Sequence, residues 1–153
     1  MENENNLNDK NIVFFDGVCN MCNGLVSYLM KKDKNKVLHY SSLQSDFARQ
    51  VLKQRNIVYG DDDMITIYFL TQGKLFSFST AILKILSLLN PFYAASSKVL
   101  LLINRGLRDK IYGYVSKNRY KFFGKQDTCR LPTRGICNVF TIKFRFTFTK
   151  INN

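Results

Sequence analysis

The sequence predicts an α/β domain in which strands and helices follow in the order β-α-β-α-β-β-α, with extra helices appended on the C-terminal side. Three observations predict it. Ile12 to Phe15 is a continuously apolar, β-favouring run closed by Asp16-Gly17. A helical period begins within a few residues of that turn, and the stretch from Met64 to Phe78 alternates and doubles back on itself.

The elements follow in order. Cys22, Leu25, Val26 and Leu29 stand at i, i+3, i+4 and i+7 and define one apolar helix face. Lys31, Lys32 and Lys34 then bring positive charge to the C-terminus of that helix, where the macrodipole favours it. Val37 to Tyr40 is a second short strand, and Ser45 is placed to cap a helix from Asp46 to about Gln54. Ile65, Ile67 and Phe69 alternate with Thr66 and Tyr68, and Thr71-Gln72-Gly73-Lys74 turns that strand into Leu75 to Phe78. Ser79-Thr80 is expected to cap a helix that points Ile82, Leu83, Leu86 and Leu89 inward and stops at Asn90-Pro91. Two further helices are expected between about Ser97 and Lys121. The summed order matches a thioredoxin-like core.

A chain of 153 residues fits one such domain. Residues 1–11 are polar and aperiodic and read as a disordered leader without a secretory apolar region; residues 12–133 form the domain; residues 134–153 form a tail. Within the tail Ile142, Phe144, Phe146 and Phe148 alternate with Lys143, Arg145, Thr147 and Thr149, the pattern of a half-buried strand. The apolar stretch from Ala81 to Asn104 is interrupted by Lys84, Asn90-Pro91 and Lys98, so no transmembrane span is expected. Charge is uneven: residues 1–97 hold 10 Lys/Arg against 9 Asp/Glu, and residues 98–153 hold 13 against 2. That basic C-terminal third suits nucleic acid, anionic lipid or an acidic partner protein, or a set of solvated helix faces.

Four cysteines without a secretion signal point to reduced thiols doing chemistry, with the cytoplasm as the expected location. Cys19 and Cys22 form a Cys-x-x-Cys immediately after a buried strand and at the opening of a helix. Free N–H groups and the positive dipole end there lower the pKa of the first thiol. Cys19, expected at an exposed tip, is the candidate nucleophile; Cys22, one turn on and on the apolar face, is the candidate resolving thiol. Substrates would be protein or small-molecule disulfides, with an external thiol or dithiol as electron donor or acceptor and no cofactor. Asp16, three residues before Cys19, would either move protons for Cys22 or support the loop. Cys129, beside Lys125 and Arg130, is a candidate third thiol; Cys137 and His39 carry little signal of their own. Two other readings stand beside the redox one. The pair could ligate a metal, although Cys129 and Cys137 are not closely spaced, or the cysteines could be incidental to a basic binding module.

Four segments resemble the DCC family of thiol-disulfide oxidoreductases. Phe15-Asp16-Gly17-Val18-Cys19-Asn20-Met21-Cys22-Asn23-Gly24 is similar to the family's D-G-x-C-x-x-C-N-G signature. Ser42-Leu43-Gln44-Ser45 and Ser79-Thr80-Ala81-Ile82-Leu83 resemble two further family motifs, and Asn118 to Pro132 resembles the C-terminal N-R-Y…F-G-x-x-D-x-C-x-x-P element. The resemblance covers about Ile12 to Thr133. It implies a thioredoxin-like fold, carries over Asp16, Cys19 and Cys22 as the defining site, and makes Cys129 a family position. Two departures stand out. The stretch Gly60 to Met64 lacks the cis-proline that thioredoxins place before the third strand, and residues 134–153 match nothing in the family.

Overall fold

The structure, a computed structural model, describes Leu7, residues 9–60 and residues 66–125. Strands β1 (Asn11–Phe15), β2 (Leu38–Ser42), β3 (Tyr68–Thr71) and β4 (Lys74–Ser77) form one sheet in the order β2-β1-β3-β4. β1 runs parallel to β2, from Asn11 opposite Leu38 to Phe15 opposite Ser42, and antiparallel to β3; β3 and β4 are the predicted hairpin. The helices are α1 (Asn20–Lys32), α2 (Asp46–Lys53), α3 (Phe78–Ser87), α4 (Pro91–Leu101) and α5 (Arg105–Phe123). This is the thioredoxin-like α/β arrangement with α4 and α5 appended.

Why β1 reads as an unbroken apolar run is clear from its surroundings. Both faces of the sheet are covered, so alternate residues have no polar side to face. Val13 and Phe15 pack with Cys22, Val26, Leu29, Phe69, Ala81 and Ile85 on one side. Ile12 and Phe14 pack with Leu43, Ala48, Val51, Leu52 and Leu70 on the other.

Local chemistry sets the boundaries. Ser45 caps α2, its hydroxyl accepting from the Ala48 N–H at 3.1 Å. Gln72 and Gly73 both take positive φ, 48° and 71°, as a two-residue hairpin turn of type I′ requires. Asn90 caps α4 through the Tyr93 N–H, with Pro91 at the first helical position, so the Asn90-Pro91 break begins the next helix directly. α4 thus starts earlier than the expected Ser97. β3 is shorter than the alternating pattern suggested, and Met64 and Ile65 lie outside the described residues.

The start of α3 is a correction. Ser79-Thr80 does not cap it; Ser77 holds the cap position without a side-chain hydrogen bond. Tertiary partners replace the local cap. Thr66 Oγ1 accepts from the Phe78 N–H at 3.0 Å, and Asp109 of α5 accepts from the Ser79 N–H at 3.3 Å and from the Ser79 hydroxyl. The inward face of α3 is correspondingly rotated. Ala81, Leu83, Ile85 and, just past its end, Leu89 are buried, while Ile82 and Leu86 are only half-buried.

Among the described residues no helix is long and apolar enough to cross a membrane. Most of residues 1–11 and all of 134–153 lie outside the described set, as does the alternating segment from Ile142 to Phe148.

The turn from α1 into β2, which sets the spacing of the two parallel strands, is closed by the buried carboxylate of Asp33. It accepts from the Val37 N–H at 3.1 Å and the Leu38 N–H at 2.9 Å. Asp33→Ala strands both amides, and a urea melt should register a loss of about 1–3 kcal/mol.

Candidate active site

The site lies where β1 ends and α1 begins. Cys19 is the N-cap of α1: its backbone is extended, its carbonyl accepts from the Asn23 N–H at 2.9 Å, and its Sγ accepts from the Cys22 N–H at 3.4 Å. The sulfur therefore occupies the position that a serine or aspartate oxygen fills at an ordinary helix start. Two cysteines three residues apart at a helix N-terminus come together for that reason alone. Both are free thiols, and both are buried.

The burial of Cys19 corrects the expectation of an exposed tip. The chain after α5 covers it. Lys125 pairs with Cys19 in an isolated antiparallel bridge, and Asn20 Nδ2 donates to the Phe123 carbonyl at 2.8 Å. Gly124, at φ 78°, makes the bend between these two contacts, and a Cβ there would approach Asn20 Nδ2 to 3.2 Å. Phe123 to Lys125 form a strap over the first thiol.

Below the thiols lies Asp16, 1% exposed at the end of an apolar strand. Four donors converge on its carboxylate. Arg119 Nη2 reaches Oδ2 at 2.7 Å, Tyr120 donates its hydroxyl to the same oxygen, Gln44 Nε2 reaches Oδ1 at 2.8 Å, and the Val18 N–H follows at 3.2 Å. Burial alone would push the Asp16 carboxyl up, but the hydrogen bonds from Tyr120, Gln44, Arg119 and Val18 outweigh it and hold the group below its ordinary value. Asp16 is a fixed anion. The loop around it is tied further by Gln44 Oε1, which accepts from the Gly17 N–H at 3.0 Å, and by Asn23 Nδ2, which donates to the Gly17 carbonyl at 2.8 Å.

The two thiols are electrostatically unlike. A hydrogen bond from the Cys22 thiol is the largest influence on Cys19; burial opposes it, and the Cys22 N–H and the Arg119 charge add to it, so Cys19 falls to about 6. Cys22 is pushed up from its ordinary value by that same hydrogen bond, then by burial and the Cys19 charge. Of the two thiols, Cys19 is therefore the one that ionises more readily. A cavity of about 160 Å³ beside Cys22 is lined by Met21, Leu25, Ile67, Ile82, Tyr112 and Arg119. Its wall before β3, where the sequence has no proline, is Thr66-Ile67, held to α5 by the Tyr112 hydroxyl, which accepts from the Ile67 N–H at 3.1 Å. No cis peptide bond occurs among the described residues.

Asp16, Cys19 and Cys22 are thus brought together as the spacing suggested. His39 stands on β2 opposite Ile12 and takes no part in the hydrogen bonds around the thiols. Cys129 and Cys137 lie outside the described residues. Among the described residues, no three His, Cys, Asp or Glu side chains gather into a ligand set for a metal ion. Sequence reasoning missed Arg119, Tyr120 and Gln44 as parts of the site. A signal for Arg119 existed: a carboxylate buried after an all-apolar strand requires a cation, and Arg119 lies on the polar stripe of α5 with Ser116, one of only two residues that helix buries.

The family model for DCC1-like thiol-disulfide oxidoreductases matches residues 13–125, from β1 to the strap over Cys19. The chain belongs to that family. It is 33% identical over 125 residues to the uncharacterized protein YuxK of Bacillus subtilis, covering 82% of this chain and 89% of that one. It is also 31% identical over 120 residues to a DCC family protein of Arabidopsis thaliana described as chloroplastic, covering 78% and 69%. No solved structure matches the chain at a significant level.

The buried pair of Asp16 and Arg119 yields two expectations. Asp16→Ala removes the carboxylate that faces the buried guanidinium and should cost about 3–5 kcal/mol in denaturant unfolding. Because the folded carboxyl lies below its ordinary 3.8, its stabilisation is complete above that value and lost as pH falls through the lower folded one. The gap in urea midpoint between wild type and Asp16→Asn should therefore be constant near neutral pH and close on acidification.

Proposed function

We propose that the protein is a thiol-disulfide oxidoreductase working through a Cys19–Cys22 dithiol/disulfide cycle. The observation that carries this reading is the opposite displacement of two identical side chains, Cys19 down to about 6 and Cys22 upward, at the N-cap of one helix. In the reducing half of the cycle the Cys19 thiolate attacks one sulfur of a substrate disulfide. A Cys19–substrate disulfide forms, the substrate S–S bond breaks, and the departing sulfur leaves as a thiolate that takes up a proton. Cys22 then loses its proton and attacks Cys19 Sγ, which closes the Cys19–Cys22 disulfide and releases the second substrate thiol. An external thiol or dithiol restores the dithiol. Run backwards, the same steps oxidise a substrate dithiol, and the reduction potentials of the partners set the direction. The proposed compartment is the cytoplasm, whose thiol pools supply the donor.

Arg119 and Asp16 act here as positioning residues. Arg119 favours the Cys19 anion through its charge, while Asp16 opposes that anion and instead holds Arg119 and the loop in place. Asp16 is thereby assigned to loop support and not to proton transfer, since its carboxylate already accepts from four donors and stays ionised. Substrate reaches Cys19 by displacing the strap from Phe123 to Lys125.

Site-resolved alkylation followed by mass spectrometry tests the scheme. Cys19 should be modified with a pH midpoint near about 6, well below the ordinary thiol value of 9.0. Cys22→Ser incubated with a model disulfide should accumulate a mixed disulfide on Cys19, and a Cys19 that neither oxidises nor forms this adduct sinks the proposal. Arg119→Gln should move the midpoint upward, with Arg119→Lys moving it less. Asn20→Ala, which removes one of the two ties between the strap and the start of α1, should speed alkylation of Cys19 several-fold without shifting its midpoint.

A further inference from the structure

α5 packs on the domain through tyrosines and polar groups and turns its large aliphatic side chains outward. An amphipathic surface helix ordinarily turns its apolar stripe to the core and its charges to water. In α5 the residues facing the domain include Asp109, Ser116 and Arg119, which bond to Ser79 and Asp16, whereas Leu107, Ile111, Tyr114, Val115 and Phe122 face solvent, each at least 40% exposed. These five fall at i, i+4, i+7, i+8 and i+15, on one side of the helix. The stripe continues around the corner into α4 through Ile103, Leu102 (87% exposed) and Val99 (65%). Lys110, Lys117 and Lys121 run along one edge of the stripe, all exposed, and Lys98 and Arg105 stand at the corner. The only acid in the two helices, Asp109, is drawn inward to Ser79 and sideways to Arg105.

We infer that this α4–α5 face docks on an anionic lipid bilayer surface. Large aliphatic side chains flanked by lysines on one helix face are what an interfacial helix presents, the apolar groups entering the acyl boundary while the amines meet lipid phosphates. The charge selects among occupants. A second copy of the chain would bring five like charges against five, and a nucleic acid would use the lysines but gain nothing from Leu102, Leu107 and Ile111. An acidic protein would satisfy the charge, and the test below separates it. The inference is independent of the redox reading, although the docked face ends within a turn of Arg119 and so sets the thiol site close to the bilayer.

The test is flotation of the full chain with vesicles of phosphatidylcholine containing about one-third phosphatidylglycerol, against phosphatidylcholine alone. Binding is expected to the anionic vesicles, weakening as salt is raised. Leu107→Gln/Ile111→Gln, which keeps every charge, should lower vesicle affinity about tenfold or more, and Lys110→Glu/Lys117→Glu/Lys121→Glu should abolish binding. Circular dichroism and the Cys19 alkylation rate should be unchanged in both variants, since all five positions are exposed. Absence of binding to anionic vesicles at low salt overturns the inference. So does binding that survives Leu107→Gln/Ile111→Gln undiminished, because charge alone would then suffice as it would for an acidic protein. A wild-type dimer by light scattering that those two changes dissociate would likewise overturn it in favour of self-association.

Discussion

A carboxylate can be taken out of water at the end of an apolar strand only if other donors replace its hydration shell, and at Asp16 the replacement comes chiefly from α5. Arg119 and Tyr120 supply two of the four donors and the only formal positive charge. The rest of the site hangs from this contact. It fixes the loop whose next turn presents Cys19, brings a guanidinium near both thiols, and draws the end of α5 to where the following residues cross over Cys19. The helices appended to the thioredoxin-like core are therefore structural parts of its centre.

Helix geometry alone gives the two cysteines different surroundings. The N-cap sulfur receives the Cys22 amide and thiol, while the sulfur one turn on sits against the core and gives its hydrogen bond away. Burial opposes ionisation at both sites, so hydrogen-bond direction decides which thiol ionises. The Arg119 charge adds to this and Asp16 subtracts from it. Placing the anion of the pair on the loop and its cation towards the thiols gives the net effect its sign.

How much of this could be read from sequence differs by element. β1, α1, α2 and the hairpin were legible because each is set by local signals: an apolar run, a helical period, a capping serine and a Gln-Gly turn. The start of α3 was not, because its cap is Asp109 of a distant helix and Thr66 of the preceding loop. Cys19 was correctly placed in sequence and wrongly placed in depth, since its cover is a strap that no local pattern announces. The faces of α5 were not legible for a third reason. Its apolar period is genuine but marks the outer face, and the residues that matter to the site, Arg119 and Tyr120, belong to the polar stripe that a periodicity argument assigns to water.

The ion pair beneath the thiols joins positions 103 residues apart. During synthesis the Cys-x-x-Cys leaves the ribosome long before Arg119 does, so a nascent chain carries Cys19 without its guanidinium, its anchored loop or its covering strap. Until α5 docks, the Cys22 hydrogen bonds that chiefly lower Cys19 have their partners in place at the start of α1, but the Arg119 charge that adds to them is absent. The Arg119 charge and the strap beside Cys19 thus arrive together when α5 docks.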